Sequence, residues 1–168
     1  MTQKENSAPN AALLALGAVA IGSIFVTGMA LAENATVVTL TQTGCQFVEA
    51  EHGKDHGYRP TKVEDCEAIN TKTGAERLSR AGAMKLKPGK YVFRVTNRNV
   101  PYELGFWLRS KDYDWKNPVH KLTRTSVSGG GLATGKTKDY EVTLKAGEDY
   151  VYSCPLNPTP DYRIVVSN

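Results

Sequence analysis

Segments in which apolar and polar residues alternate predict β-strands along most of the chain after residue 35. One face of the segment 90–97, for example, collects Tyr91, Phe93 and Val95. Turn signals such as Pro88-Gly89 separate neighbouring segments. The predicted strands are 36–41, 45–49, 84–87, 90–97, 104–108, 140–144, 150–153 and 163–167. Seven or eight short strands with regular turns predict an all-β sandwich.

Three segments interrupt this pattern. Residues 50–82 are polar and charged, which predicts an insertion between strands, with one or two short helices within 63–78. Residues 110–121 read as a polar connection that holds Trp115. The run Gly129-Gly130-Gly131 predicts a flexible loop.

The N-terminal part has a different character. Residues 11–32 are almost wholly apolar, without a charge between Glu5 and Glu33, and are long enough to cross a bilayer core. Two interpretations remain open. We favour a retained membrane anchor, but the small residues at Ala30 and Ala32 also suit a signal peptide that is cleaved after Ala32 and leaves a secreted protein.

In both cases the domain from residue 33 onward is predicted to lie in the periplasm, because the few positive charges precede the apolar segment. The predicted organisation is a short segment 1–10, the anchor or signal peptide 11–32, and one domain 33–168. Small residues on one helical stripe of the anchor would let a partner helix approach closely in lipid. That stripe consists of Ala11, Ala15, Ala18 and Gly22.

Charge and motifs argue against two classes of ligand. Lysine and arginine total 21 against 17 acidic residues, a net charge of +4 that is interspersed along the chain, so no nucleic acid is expected. Residues 130–137 match the phosphate-loop pattern G-x4-G-K-[ST]. That pattern cradles phosphates only where a helix follows, whereas a predicted strand follows here, so no nucleotide is expected.

The chain contains three cysteines, Cys45, Cys66 and Cys154. Export would place them in an oxidising compartment, where disulfides form and persist. Because the number is odd, one disulfide and one free thiol is the simplest expectation.

The end of the chain resembles the copper-ligand loop of cupredoxins. Tyr150–Val166 reads as a strand, a Cys in a Pro-rich loop, and a strand, where the family has Cys-x2-His-x4-Met. Cys154 is kept, but Asn157 and Tyr162 replace His and Met. The segment Leu86–Asn97 is similar to the family's hairpin, and Tyr102 follows Pro101 where the family has a Pro-His pair. The resemblance implies a cupredoxin-like Greek-key β-sandwich of seven to eight strands whose copper ligands are lost, and hence no cofactor.

A closer resemblance is to the copper-free cupredoxin-like domain of periplasmic iron-uptake lipoproteins. Gly44-Cys45-Gln46-Phe47 and Ser153-Cys154-Pro155 match its two cysteine segments. The resemblance implies a disulfide between Cys45 and Cys154. Cys66 departs from that family, and a Cys45–Cys66 bridge around the insertion is the alternative.

No catalytic constellation is visible, so we expect a protein that is not an enzyme. The favoured function is an accessory or structural subunit that is anchored in the lipid bilayer and docks on subunits of a respiratory or photosynthetic membrane complex. Its predicted contact surface is formed by Tyr102–Trp107, Tyr113–Pro118 and Leu156–Tyr162. The alternative is a periplasmic copper or iron protein, for metal binding or electron transfer, with a non-standard Cys/His site. Its candidate ligands besides Cys154 are His52, His56, Cys66 and His120.

Overall fold

The computed structural model of this chain describes residues 34–168. The predicted anchor or signal peptide at 11–32, with the stripe of Ala11, Ala15, Ala18 and Gly22, lies outside the described residues. Within 34–168, no helix combines the length and apolar character that a membrane crossing requires.

The described part consists of nine strands, one 3-10 turn and two α-helices. The strands are β1 (Thr36–Thr43), β2 (Gln46–Phe47), β3 (Ala83–Leu86), β4 (Gly89–Asn97), β5 (Leu104–Ser110), β6 (Ser126–Leu132), β7 (Thr137–Leu144), β8 (Asp149–Ser153) and β9 (Tyr162–Val166). The 3-10 turn is Glu49–Glu51, and the helices are α1 (Val63–Ala81) and α2 (Pro118–Thr123).

The strands form two sheets, in the orders β2-β1-β4-β7 and β3-β9-β8-β5-β6. The pairs β1–β4 and β3–β9 are parallel, and all other neighbours are antiparallel. The chain passes from one sheet to the other at every connection except β1–β2, β5–β6 and β8–β9. The predicted all-β sandwich is therefore confirmed: the domain is mostly β-sheet, in two sheets with few helices.

The strand that the sequence did not predict is β6, which contains the glycines predicted to be a flexible loop. Gly129 pairs with Phe106 of β5. A Cβ atom on Gly129 would lie 3.1 Å from Tyr140 Cε1, and one on Gly105 would lie 2.9 Å from the Gly129 carbonyl oxygen. The prediction was wrong because these glycines let two strands and an aromatic ring approach closely, which is a role that glycine also has inside sheets.

The insertion forms a single helix rather than two. Its N-terminus is capped by Asp65, whose carboxylate accepts hydrogen bonds from the backbone N–H groups of Thr61 (2.8 Å) and Lys62 (3.2 Å). The buried residues of α1 are Cys66, Gly74 and Arg77. They share one stripe of the helix, and this stripe faces the sandwich. The predicted second strand, 45–49, is shorter than expected because the 3-10 turn begins at Glu49.

The interior of the sandwich is rich in aromatic rings. Tyr91 and Phe93 point inward from β4, as the alternation predicted. Phe47 contacts Phe106 and Tyr152 edge to face, with ring centroids 6.0 and 5.2 Å apart. Such edge-to-face contacts add to the stabilisation that comes from burying the rings.

The sandwich has two ends, a tip and a base. The tip carries the turn after β1, the start of β5 and the loop after β8, and it is joined by the bond from Gln42 Nε2 to the Gly105 carbonyl (2.8 Å). The base carries Asn34, the end of β5 and α2, and it is joined by the bond from the Ser110 N–H to the Thr125 carbonyl (2.9 Å).

Phe106 should be a large contributor to stability, because its fully buried ring contacts both sheets. We expect Phe106→Ala to lower the free energy of unfolding by about 3–5 kcal/mol. Val37→Ala, at a residue that is 49% exposed, should change it by less than about 0.5 kcal/mol. Urea denaturation of the two variants measures the difference, and equal midpoints would contradict this account of the core.

Candidate functional site

The disulfide joins Cys45 to Cys66, with Cα atoms 5.0 Å apart, and Cys154 is a free, buried thiol. The favoured prediction, Cys45–Cys154, is therefore wrong, and the alternative pairing forms. The physical reason is that α1 packs against the tip and brings Cys66 beside Cys45. The Cys154 sulfur instead accepts a hydrogen bond from the Gly105 N–H, at 3.4 Å.

Asn157, which replaces the histidine of the Cys-x2-His pattern in the resemblance to cupredoxins, is fully buried. Its Oδ1 accepts a hydrogen bond from the Cys45 N–H, and its Nδ2 donates to the Thr43 carbonyl, both at 3.0 Å. Cys66 Sγ lies 3.0 Å from the same Oδ1. This sulfur carries no hydrogen in a disulfide, so the approach is a packing contact rather than a hydrogen bond. The amide of Asn157 thus clamps the turn after β1.

Tyr102 stands at the position of the other missing histidine and packs beside the same cluster. Its hydroxyl lies 3.4 Å from Asn157 Oδ1, 3.4 Å from the Lys62 carbonyl and 3.8 Å from Cys66 Sγ. Burial, followed by the nearby Cys154 and acidic groups of α1, raises the pKa of Tyr102 to about 12. The phenol is therefore neutral and serves as a hydrogen-bond donor.

The surroundings of Cys154 disfavour the thiolate form of its side chain. Burial raises the pKa of the Cys154 thiol, and hydrogen bonds from backbone N–H groups oppose that rise only in part. A buried thiol of this kind behaves as a small apolar group rather than as a nucleophile.

Tyr162, at the position of the missing methionine, belongs to a different cluster. Its hydroxyl donates a hydrogen bond to Glu51 Oε1. Arg77 of α1 binds the same carboxylate, with Nη2 2.6 Å from Oε1 and Nε 3.1 Å from Oε2. The Arg77 side chain also donates to the Cys45 carbonyl at 3.1 Å. Sequence reasoning missed this buried ion pair, because the position of Arg77 on the stripe of Cys66 is its only signal.

The cluster holds Glu51 ionised. Burial alone would raise the pKa of Glu51 and is the largest single influence. Hydrogen bonds from Arg77, Tyr162 and His56, together with the charge of Arg77, outweigh burial and hold the pKa below its ordinary value of 4.5. Burial and the adjacent carboxylate in turn raise the pKa of Tyr162, so its hydroxyl stays protonated.

The residues predicted as alternative metal ligands do not gather around Cys154. His56 Nε2 lies 2.6 Å from Glu51 Oε2, and His52 Nε2 lies 2.9 Å from the Arg80 carbonyl. His120 lies at the base, where its Nδ1 accepts a hydrogen bond from the Asp114 N–H. Cys66 is oxidised. Among residues 34–168, no three His, Cys, Asp or Glu side chains are grouped to hold a metal ion.

The donor set at the tip does not fit a blue-copper ion. Such a site needs two imidazoles and a thiolate. Here the two histidine positions hold Tyr102 and Asn157, the amide of Asn157 is already bonded to backbone groups, and Cys154 is a buried thiol. The tip is therefore built for structural bonds rather than for coordination.

A surface groove of about 350 Å³ lies beside this cluster. Its lining residues are Gly105, Phe106, Trp107, Ser128, Gly129, Gly130, Pro155 and Leu156. Two of the predicted contact segments, Tyr102–Trp107 and Leu156–Tyr162, contribute to this tip groove. The third, Tyr113–Pro118, follows the end of β5, and its Tyr113 ring meets the Trp107 ring edge to face, with centroids 6.2 Å apart.

Comparisons with known proteins give matches among solved structures alone: no family model and no curated protein matches this chain. Auracyanin B is 11% identical, over 80% of this chain and 90% of that one, with a TM-score of 0.47. The azurin Az-iso2 from Methylomonas sp. strain J is 8% identical, over 80% and 100%, with a TM-score of 0.42. A multi-copper oxidase from Pediococcus acidilactici is 12% identical, over 98% of this chain and 31% of that one, with a TM-score of 0.39.

The fold is a two-sheet β-sandwich with cupredoxin neighbours. A shared fold at such low sequence identity does not indicate which ligand this protein binds or which reaction it takes part in. The relation to iron-uptake lipoproteins, which rested on the pair Cys45 and Cys154, stays a prediction, and the disulfide that it implied is not formed.

The thiol arrangement can be checked by alkylation and peptide mapping. Without reductant, we expect one alkylated cysteine, Cys154, and only after unfolding, because its sulfur is buried. The Cys45 and Cys66 peptides should remain joined. Replacing both bridge cysteines by alanine should lower the free energy of unfolding by about 3 kcal/mol, given the loop of about 21 residues. A Cys45–Cys154 peptide pair would contradict the structure.

The buried ion pair predicts a large effect at Arg77. Arg77→Leu leaves Glu51 buried and unpaired, and should lower the free energy of unfolding by about 3–5 kcal/mol. Arg80→Leu is a matched control on the same helix, because Arg80 makes an exposed pair with Glu76; it should cost less than about 1 kcal/mol. Urea denaturation measures both, and similar losses for the two variants would contradict a structural role for the pair.

The same cluster predicts acid sensitivity. The pKa of Glu51 is lower in the folded protein than its ordinary value of 4.5, so its contribution to stability is complete above pH 4.5 and is lost as pH falls through the folded pKa. Glu51→Gln should be less stable at neutral pH and should lose less stability on acidification. Denaturant titrations between about pH 7 and about pH 3 test this. Parallel pH profiles for the two proteins would contradict it.

Proposed function

We propose that this protein is a non-catalytic accessory subunit, exported to the periplasm and held at the bilayer by residues 11–32, which docks on a membrane protein complex through its tip. The observation that carries the proposal is the use of Asn157, the ligand-equivalent residue, as a clamp on backbone groups of Thr43 and Cys45. Its Oδ1 faces two donors, the Cys45 N–H at 3.0 Å and the Tyr102 hydroxyl at 3.4 Å, so both lone pairs of that oxygen are used within the protein. On this proposal the domain acts by binding a partner and not by catalysing a reaction.

The tip groove supports docking by its shape and chemistry. Its floor is backbone, because Gly105, Gly129 and Gly130 carry no side chains, and Leu156 is 42% exposed at its rim. The nearest charged groups are engaged: Glu103 accepts from the Gly131 N–H, and Lys138 donates to the Gly130 carbonyl. An apolar groove with its polar groups satisfied suits an apolar side chain from a protein partner.

The disulfide supports the proposed location. A Cys45–Cys66 bridge is stable where the compartment is oxidising, as in the periplasm, and is rare in the cytosol. This agrees with the export predicted from the apolar N-terminal segment.

The docking role is tested by purification of the full chain in mild detergent. We expect integral membrane subunits to co-purify with it. Leu156→Glu places a charge at the groove rim and should reduce their recovery by at least about tenfold, the loss expected at the centre of an interface. Val37→Glu is the matched control, because Val37 is a comparably exposed residue of β1 outside the groove. Equal recovery from the two variants would contradict docking through the tip.

The same preparation separates the proposal from the alternative of a metal carrier. The intact mass shows whether residues 1–32 remain, which the anchor requires. One equivalent of copper with a thiolate charge-transfer band would contradict the accessory role and favour an electron carrier. Thermal melts of both variants establish that a lost partner does not reflect unfolding.

A further inference from the structure

The segment around α2 exposes three large apolar side chains at the base. Trp115 is 60% exposed, Val119 59% and Leu122 89%. Val119 and Leu122 are three residues apart on the helix and so lie on one face. These three residues are called the base patch below. They account for most of the large apolar side chains that the described residues expose, the others being Val37 and Leu156.

Packing against the core does not hold α2 in place. None of the α2 residues is buried. The helix is instead held by local polar bonds: Asn117 Oδ1 accepts from the Val119 N–H (3.0 Å), and the Arg124 N–H donates to the His120 carbonyl (2.9 Å). A helix that exposes apolar residues and buries none is typical of a surface that binds another protein or a membrane.

The position at which the chain enters the domain indicates which surface the base patch meets. Ala35 lines one groove together with Arg124 and Thr125, the residues that follow α2. Three residues, Glu33 to Ala35, separate the apolar stretch from β1. They can span at most about 10 Å. The base patch therefore lies at the end of the domain that is joined by a short connection to the segment predicted to cross the bilayer.

The charges around the base patch suit an anionic surface. Lys116 Nζ lies 5.4 Å from the centre of the Trp115 ring, and Lys121 lies on α2. Within residues 34–168, neither lysine forms an ion pair with an acidic side chain. Two acidic residues lie in the same segment: Asp112 binds Arg124 at 2.6 Å, and the Asp114 carboxylate accepts a hydrogen bond from the Lys116 backbone N–H at 2.9 Å. Residues 111–124 still carry more Lys and Arg than Asp and Glu. Tryptophan and lysine side by side are the residues that favour the headgroup level of a bilayer.

We propose that the base patch inserts into the headgroup region of the lipid bilayer, with Lys116 and Lys121 on anionic headgroups. The apolar side chains of the base patch would then leave water. This inference rests on one part of the proposed function, the retention of residues 11–32 as an anchor. The short connection favours lipid over a protein partner, because it keeps the base close to the bilayer whether or not a partner is present.

The test uses the full chain in vesicles of anionic phosphatidylglycerol, with and without brominated acyl chains. The protein has two tryptophans, so Trp107→Phe leaves Trp115 as the only tryptophan, and excitation that is selective for tryptophan reports on it alone. We expect a loss of Trp115 emission in brominated lipid relative to the unbrominated vesicles, because the indole ring favours the headgroup level of a bilayer. The converse variant, Trp115→Phe, leaves Trp107, which lies under the Arg109 guanidinium at 4.0 Å on the sheet, and should show little quenching.

Two further variants, each made in the Trp107→Phe background, show which end of the domain contacts the lipid. Leu122→Glu should restore the Trp115 emission by placing a charge in the patch, whereas Leu156→Glu, at an exposed leucine of the tip, should leave the quenching unchanged. Unquenched Trp115, or quenching that survives Leu122→Glu, would overturn the inference. Circular dichroism of each variant establishes that it is folded.

Carbonate washing of the same vesicles separates this inference from the proposed function. Release of the chain would contradict the anchor and, with it, the lipid contact. Retention of the chain with Trp115 unquenched would contradict the lipid contact alone and leave the docking role standing. Loss of partner recovery in Leu156→Glu, together with preserved quenching, would show that the two ends serve separate contacts.

Discussion

The backbone of Cys45 is the point on which the tip depends. Cys45 has a positive φ of 64°, which a residue with a side chain adopts only when its surroundings hold it there. Its N–H donates to Asn157, its carbonyl accepts from Arg77, and its sulfur is bonded to Cys66. These bonds come from the loop after β8 and from α1. One residue therefore joins the first strand, the insertion and the last loop.

The Glu51–Arg77 pair shows why the insertion packs in one register. A buried ion pair adds little net stability compared with apolar residues of the same shape, but its bonds are directional. Arg77 satisfies its guanidinium with Glu51, Asn70 and the Cys45 carbonyl at once. A helix shifted by one residue would lose these partners and leave a charge buried, which is costly. The pair therefore specifies the position of α1, and the position of α1 decides the disulfide.

The sequence predicted the sandwich because alternation is a local signal, and Tyr91 and Phe93 point inward where it placed them. It failed where the outcome depends on contacts between distant segments. The glycines of β6 look like a loop in isolation and become a strand only against Phe106 and Tyr140. The disulfide was misassigned because the resemblance contained no helix that carries a third cysteine. Of the ligand-equivalent residues, Tyr102 and Asn157 meet at one cluster, but Tyr162 bonds to Glu51, and no local pattern indicates that division.

The two ends of the domain differ in a way that follows from these constraints. At the tip, Asn157 is bonded to the main chain and Cys154 is buried, and the groove beside Leu156 is apolar because the adjacent charged groups of Glu103 and Lys138 bond to the main chain. At the base, α2 contributes nothing to the interior, so its sequence is free to carry Trp115 and Leu122 on the surface. The two contacts that we propose, with protein at the tip and with lipid at the base, account for both features.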